Sequence, residues 1–149
     1  MGRPAPDAAV EDQPMTVLNI ASIEKLSLPG LAHQTLAGPR DGLRTLEVWM
    51  QTVAPGAQTP RHRHACEEVI VVLRGSGTCE IDGVALTFGP GSTLIVPAGV
   101  PHQIVNTGEE EMHVVAALGA APVTVETPAG ERIELPWDQH RFAGKKCEV

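Results

Sequence analysis

The chain contains no tyrosine, and two tryptophans and two phenylalanines make aromatics only 3% of its 149 residues. With no phenol available as acid, base or ligand, tyrosine-dependent chemistry is excluded. Cationic residues are also scarce: 11 Lys and Arg against 18 Asp and Glu leave a net charge of −7, with no basic run. Nucleic-acid surfaces need clustered cations to displace counterions from phosphate, so no nucleic-acid partner is expected. No uninterrupted apolar stretch approaches the roughly 20 residues of a membrane span. The N-terminus, with Pro4, Pro6, Asp7, Glu11, Asp12 and Pro14, lacks an apolar signal-peptide core. These absences predict a soluble cytoplasmic protein without a membrane partner. Cysteine is sparse as well: Cys66, Cys79 and Cys147 are odd in number, widely spaced and free of a C-x-x-C pair. Neither a disulfide framework nor a structural zinc site is indicated.

What is present is a recurrence of short apolar segments separated by Gly and Pro: 17–20, 43–53, 68–74, 78–81, 84–88, 93–96, 103–105 and 112–118. Such spacing predicts an all-β sandwich or barrel. Asp82-Gly83 predicts a tight hairpin turn, since a type I′ turn needs positive φ at both central residues, and Asn106-Thr107-Gly108 marks another turn. Residues 123–126 and 132–135 flank Thr127-Pro128-Ala129-Gly130 and read as a further hairpin, able either to cap the barrel or to pair with a second subunit. The length suits one domain, placed at 17–140 with this hairpin (123–135) inside it. Residues 1–16, rich in Pro, Ala and acid, are expected to be a flexible N-terminal tail, and 141–149 a C-terminal tail.

Two stretches carry the chemistry: Gly56-x5-His62-x-His64-x3-Glu68-x6-Gly75 and Gly91-x5-Pro97-x-Gly99-x2-His102-x3-Asn106. At below about one in ten per position, chance agreement at all of these positions is on the order of one in ten billion per register, so coincidence is set aside. The stretches resemble the two sequence motifs of the cupin family. The resemblance implies a jelly-roll type β-barrel, the double-stranded β-helix of RmlC-like proteins, with His62, His64, Glu68 and His102 as ligands to one divalent metal. It also implies a homodimer. The lack of tyrosine separates the chain from relatives that use that residue, such as sugar-nucleotide epimerases and thiol dioxygenases.

The residues themselves suit this role. Side chains two apart on a strand share a face, so His62 and His64 converge while Arg61 and Arg63 point away. Three neutral imidazoles and a carboxylate suit a borderline ion (Fe, Mn, Co, Ni, Cu or Zn) and leave positions open for a ligand. Glu67 is expected in solvent, Cys66 in packing, Asn106 in backbone hydrogen bonding, and His33, His113 and His140 as surface or loop histidines. Mapped from the family, the inward parity gives Trp49, Gln51, Met112, Val114 and Ala116 as pocket walls. Arg44 or Arg74 could serve an anionic substrate if either faced inward. The expected function is metal-dependent action on a small chelating organic molecule, by oxygenase (dioxygenase-like), isomerase or lyase chemistry. The alternative is a non-catalytic module that binds or senses a small ligand.

Overall fold

A computed structural model describes residues 15–137. Most of the expected N-terminal tail, all of the C-terminal tail, and His140 and Cys147 lie outside these residues. The described chain forms nine strands: β1 (Leu26–Leu28), β2 (Leu31–Ala37), β3 (Glu47–Val53), β4 (Glu68–Arg74), β5 (Gly77–Ile81), β6 (Val84–Phe88), β7 (Thr93–Val96), β8 (His102–Asn106) and β9 (Met112–Leu118). They build two antiparallel sheets, one ordered β1-β2-β3-β9-β4-β7 and the other β6-β5-β8. This is the jelly-roll arrangement predicted. No helix among the described residues is long and apolar enough to cross a membrane.

Alternation along each strand decides what enters the core. On β4, Glu68, Ile70 and Val72 are buried while Val69, Val71 and Leu73 face out. On β9 the buried set is Met112, Val114, Ala116 and Leu118. The sheets meet closely around Met112. A Cβ on Gly77 would lie 2.1 Å from the Val105 carbonyl oxygen, and one on Gly75, at φ +90°, would lie 2.8 Å from Met112 Cα. Only glycine fits either position. Asp82 (φ 51°) and Gly83 (φ 80°) close the β5–β6 hairpin with positive φ at both residues, as their chemistry predicts.

Three expectations are corrected. Residues 17–20 form no strand: Asn19 caps a 3₁₀ turn at Ile20–Ser22 by accepting from the Ala21 N–H, and Met15, Val17, Leu18 and Ile20 stay exposed. A local side-chain bond has won over weak β-propensity. His33 is neither a surface nor a loop histidine. It sits in β2, 1% exposed, stacked on Trp137 at 3.7 Å and edge-on to Trp49 at 5.0 Å. The C-terminal hairpin forms its turn, with Thr127 N–H donating to Glu131 O and Gly130 N–H to Thr127 O. Its limbs, however, are single bridges (Arg63↔Glu126 and Glu126↔Arg132) rather than strands. The Val123 N–H is donated to the buried Glu47 carboxylate rather than across the hairpin. Val123 and Val125 are buried, so the segment caps the barrel of its own chain.

Candidate metal centre

The segment before β4 is laced to the start of β8. His62 N–H donates to His102 O at 3.0 Å, and His102 N–H donates back to His62 O at 2.8 Å. Gly99, at φ 77°, donates its N–H to His64 O at 2.7 Å, bringing the second motif's loop against the first. Backbone hydrogen bonding between distant segments thus delivers His62, His64 and His102 to the inner end of β4, where Glu68 enters. The ligand atoms of these four residues lie within 4.8 Å of one another. The outward parity behaves as expected: Arg61 pairs with Glu80 at 3.2 Å and Arg63 with Glu126 at 3.0 Å.

Each imidazole is oriented by a backbone carbonyl. Nδ1 of His62, His64 and His102 meets Pro60 O at 2.6 Å, Thr124 O at 2.9 Å and Val100 O at 3.0 Å. A carbonyl only accepts, so each Nδ1 carries the proton and each Nε2 presents a lone pair inward. Glu68 Oε1 lies 3.0 Å from His102 Nε2 and 3.5 Å from His64 Nε2. Both nitrogens and that oxygen are buried without a hydrogen-bond partner among the described residues. Acceptors crowded together out of water repel, and each forfeits its solvation. A cation is the missing complement, so the donor set fits a divalent ion, with the Nδ1 bonds as its orienting support.

Electrostatics favour the ligand-ready forms. Burial, followed by the neighbouring His102, pushes His62 from its ordinary 6.5 down to about 4. Burial also holds His64 below its usual value against the pull of Glu68. Neutral imidazoles beside a carboxylate are what a borderline cation requires.

A cavity opens onto Glu68, His62 and His102, walled by Trp49, Gln51 and Trp137 among others. Met112, Val114 and Ala116 do not line it. They share the inward face of β9 but lie deeper, packed in the core. No Arg or Lys among the described residues lines it either: Arg44 is exposed and Arg74 pairs outside with Glu110. Glu67 is exposed, and His113 reaches Glu111 on the outside at 3.0 Å. Cys66 packs against the core, with burial and then Glu68 pushing its thiol up, and is not among the four converging donors. Asn106 serves the backbone, donating to Val53 O and Glu110 O and accepting from Gly108 N–H. Sequence reasoning missed Trp137, Leu135 and Val125, brought in by the C-terminal strap, as well as Thr59 and the β1–β2 leucines Leu28 and Leu31. It also missed Glu47, fully buried, which accepts from Trp49 Nε1–H and from Val123 N–H.

Compared with known proteins, the chain matches the family model described as Auxin binding protein over residues 5–128. It is 39% identical over 122 residues to auxin-binding protein 1 of Arabidopsis thaliana, covering 73% of this chain and 61% of that protein. Auxin-binding protein T92 of Nicotiana tabacum is 39% identical over 149 aligned positions, covering 85% of this chain and 80% of that one. More distantly, a 1-hydroxy-2-naphthoate 1,2-dioxygenase from a Nocardioides strain is 29% identical over 103 residues, covering 65% of this chain but 26% of the enzyme. A solved RmlC-like cupin from Shewanella frigidimarina superposes with a TM-score of 0.64 at 22% identity, covering 74% of this chain and 95% of that one.

Proposed function

Since the chain belongs to the auxin-binding protein family, within the cupins, we propose that it holds one divalent metal ion on His62, His64, Glu68 and His102 and binds a small aromatic carboxylate beside it. The observation that carries this reading is a contrast within one cavity. Four donors converge at its base, while the walls among the described residues are mostly aliphatic and indole side chains, with Gln51 and Thr59 but no Lys or Arg. An anion entering such a slot meets no Lys or Arg among the described residues, and the chain's net charge of −7 opposes its entry. When bound, the metal supplies the positive charge and the open coordination positions that a carboxylate needs.

The chain's own residues do the rest. Thr59, 6% exposed, accepts from Ile104 N–H at 3.0 Å and keeps its hydroxyl proton for a ligand oxygen. Trp49 and Trp137 offer flat apolar walls to an aromatic ring. The relatives support the ligand class: the family takes its name from auxin, a small aromatic acid, and the naphthoate named in the dioxygenase is another. The test is calorimetric titration of indole-3-acetic acid into metal-loaded wild-type and His102→Ala protein. Binding that disappears with the metal is expected, and equal binding to metal-free protein would refute the reading.

The dioxygenase relative favours a second reading, oxygenation of such an acid by an iron form. Apart from the metal ligands, no titratable side chain among the described residues lines the cavity, so proton transfer by those residues would have to involve the ligand or water. Oxygen uptake by iron(II)-loaded protein, measured with and without the acid, separates binding from turnover. We further propose a homodimer. The outer face of β4 and β7 exposes Val69, Val71, Leu73 and Ile95, the last at 69%, an apolar surface that a second copy would cover. Light scattering that gives a strict monomer would remove it.

A further inference from the structure

The sheet β6-β5-β8 has two edges, and the chain treats them differently. The edge of β8 is paired by the residues before β4: Thr59 N–H donates to Ile104 O, Asn106 N–H to Ala57 O, and the His62 and His102 backbones exchange bonds. β6 pairs with β5 on one side, in an unbroken register from Ile81↔Val84 to Gly77↔Phe88. On its other side, no backbone group of residues 84–88 bonds to any described residue. Proteins blunt such an edge with lysine, proline, a bulge or an inward charge. Val84-Ala85-Leu86-Thr87-Phe88 has none of these, and residues 83–101 carry no Asp, Glu, Lys or Arg. The apolar exposure also lies on an unexpected face. Directly paired residues share a face, so Val84, Leu86 and Phe88 stand with Ile81, Cys79 and Gly77 on the core side. Cys79 is fully buried, yet Val84 is 58% and Leu86 49% exposed. The inner face of β6 thus projects past the cover that buries β5, while Phe88 packs against the core.

We propose that a second copy of this chain adds to β6, edge to edge and antiparallel, about a two-fold axis through Leu86. The strand is its own complement in that arrangement. Val84 meets Phe88 of the other copy, Leu86 meets Leu86 and Ala85 meets Thr87, so the two inner faces merge into one apolar strip across the joint. Backbone donors and acceptors that β5 leaves open find partners there. The axis also keeps acids apart. The two Asp82 residues, each four positions from the axis, stand roughly 27 Å apart at about 3.4 Å per residue, well beyond the screening length of about 8 Å at physiological ionic strength. Glu80, on the outer face of β5, is already paired with Arg61 at 3.2 Å. A second copy therefore meets this edge without opposing charge, although the chain as a whole carries −7. Five residues a side fall short of the roughly 800 Å² per partner of a standard interface, so the association is weak, with a Kd on the order of 10–1000 μM. It is separate from the outer face of β4 and β7, and it requires neither metal nor ligand.

The test is residue-resolved amide hydrogen exchange on the full chain, over a dilution series that extends below and above that range, with light scattering on the same samples. In wild type the β6 amides that point away from β5 should gain roughly tenfold or more protection once the larger species dominates, and lose it on dilution. Leu86→Lys, which sets two charges against each other on the axis, should abolish both that protection and the species joined through β6. Its melting when dilute should stay near wild type, since a half-exposed side chain has room for lysine. If that variant does not fold, the more exposed Val84→Lys reads the same loss. β6 amides that exchange equally fast at every concentration would overturn the proposal. So would protection in samples that scattering shows to be monomeric, which would put a segment of the same chain on the edge. A larger species that Val71→Lys removes and Leu86→Lys spares, with β6 unprotected, would assign association to the outer face of β4 and likewise overturn it.

Discussion

Glu68→Gln should stabilise the metal-free protein while abolishing its stabilisation by metal. In the metal-free site the carboxylate oxygen faces Nε2 of His102 at 3.0 Å and Nε2 of His64 at 3.5 Å. With Nδ1 of both rings committed to carbonyl oxygens, those nitrogens present lone pairs to an anion. Taking roughly half a unit of negative charge on the nearer nitrogen and an effective dielectric of about 20, Coulomb's law gives a repulsion on the order of 2–3 kcal/mol. Glutamine removes that charge and can turn its N–H toward His102, adding about 1 kcal/mol. For a chain of this size each kcal/mol moves the midpoint by about 2–4 °C, so the metal-free variant should melt roughly 5–15 °C above metal-free wild type. A ligand at about 100 times its Kd stabilises wild type by about 2.7 kcal/mol, and most of that shift should vanish in the variant. The assay is scanning calorimetry of both chelator-treated proteins, with and without added zinc. If metal-free Glu68→Gln melts well below wild type, the reasoning is refuted. Glu68 would then belong to a buried ion pair with a protonated histidine, whose breakage costs about 3–5 kcal/mol.

Acid should destabilise the fold in a defined window. His62 binds its proton near 6.5 when unfolded but near 4 when folded, so between these values the unfolded chain holds a proton that the native one lacks. Stability is therefore complete above about pH 6.5 and declines by about 2–3 kcal/mol toward pH 4, which urea titrations across that range would read. A flat profile would contradict the lowered value. Asn106→Ala deprives two carbonyls and one N–H of their partner and should cost about 3 kcal/mol in urea unfolding, with metal content per folded chain unchanged. Gly77→Ala places a methyl 2.1 Å from the Val105 carbonyl oxygen and should prevent native β5–β8 pairing. Soluble protein with wild-type melting would show that the sheets are looser there than described.

Much of the barrel was legible because its strands alternate cleanly between turn residues. Segments 68–74, 84–88, 93–96 and 112–118 coincide with β4, β6, β7 and β9, and the converging donors stand at the motif positions. β2 was not legible because it buries a polar side chain on each face, His33 on one and Gln34 on the other, so neither face shows a clean apolar alternation. Those side chains take partners distant in sequence, Gln51 for His33 (beside its neighbour Thr35) and the carbonyls of Ile20 and Ile23 for Gln34. The parity of β9 was read correctly, but parity gives a face and not a depth, which is why Met112, Val114 and Ala116 fill core rather than wall the cavity. Trp137 enters from the end of the described chain. Nothing local in Pro136-Trp137 reveals that its ring will close onto His33.

The most direct test of the metal centre is elemental analysis of protein purified without affinity nickel or added metal, beside its His102→Ala variant. Wild type should carry close to one divalent ion per chain and melt lower after chelation, and the variant should carry little. Substoichiometric metal in wild type that does not rise on reconstitution, together with melting that chelator leaves unchanged, would contradict the assignment of these four side chains.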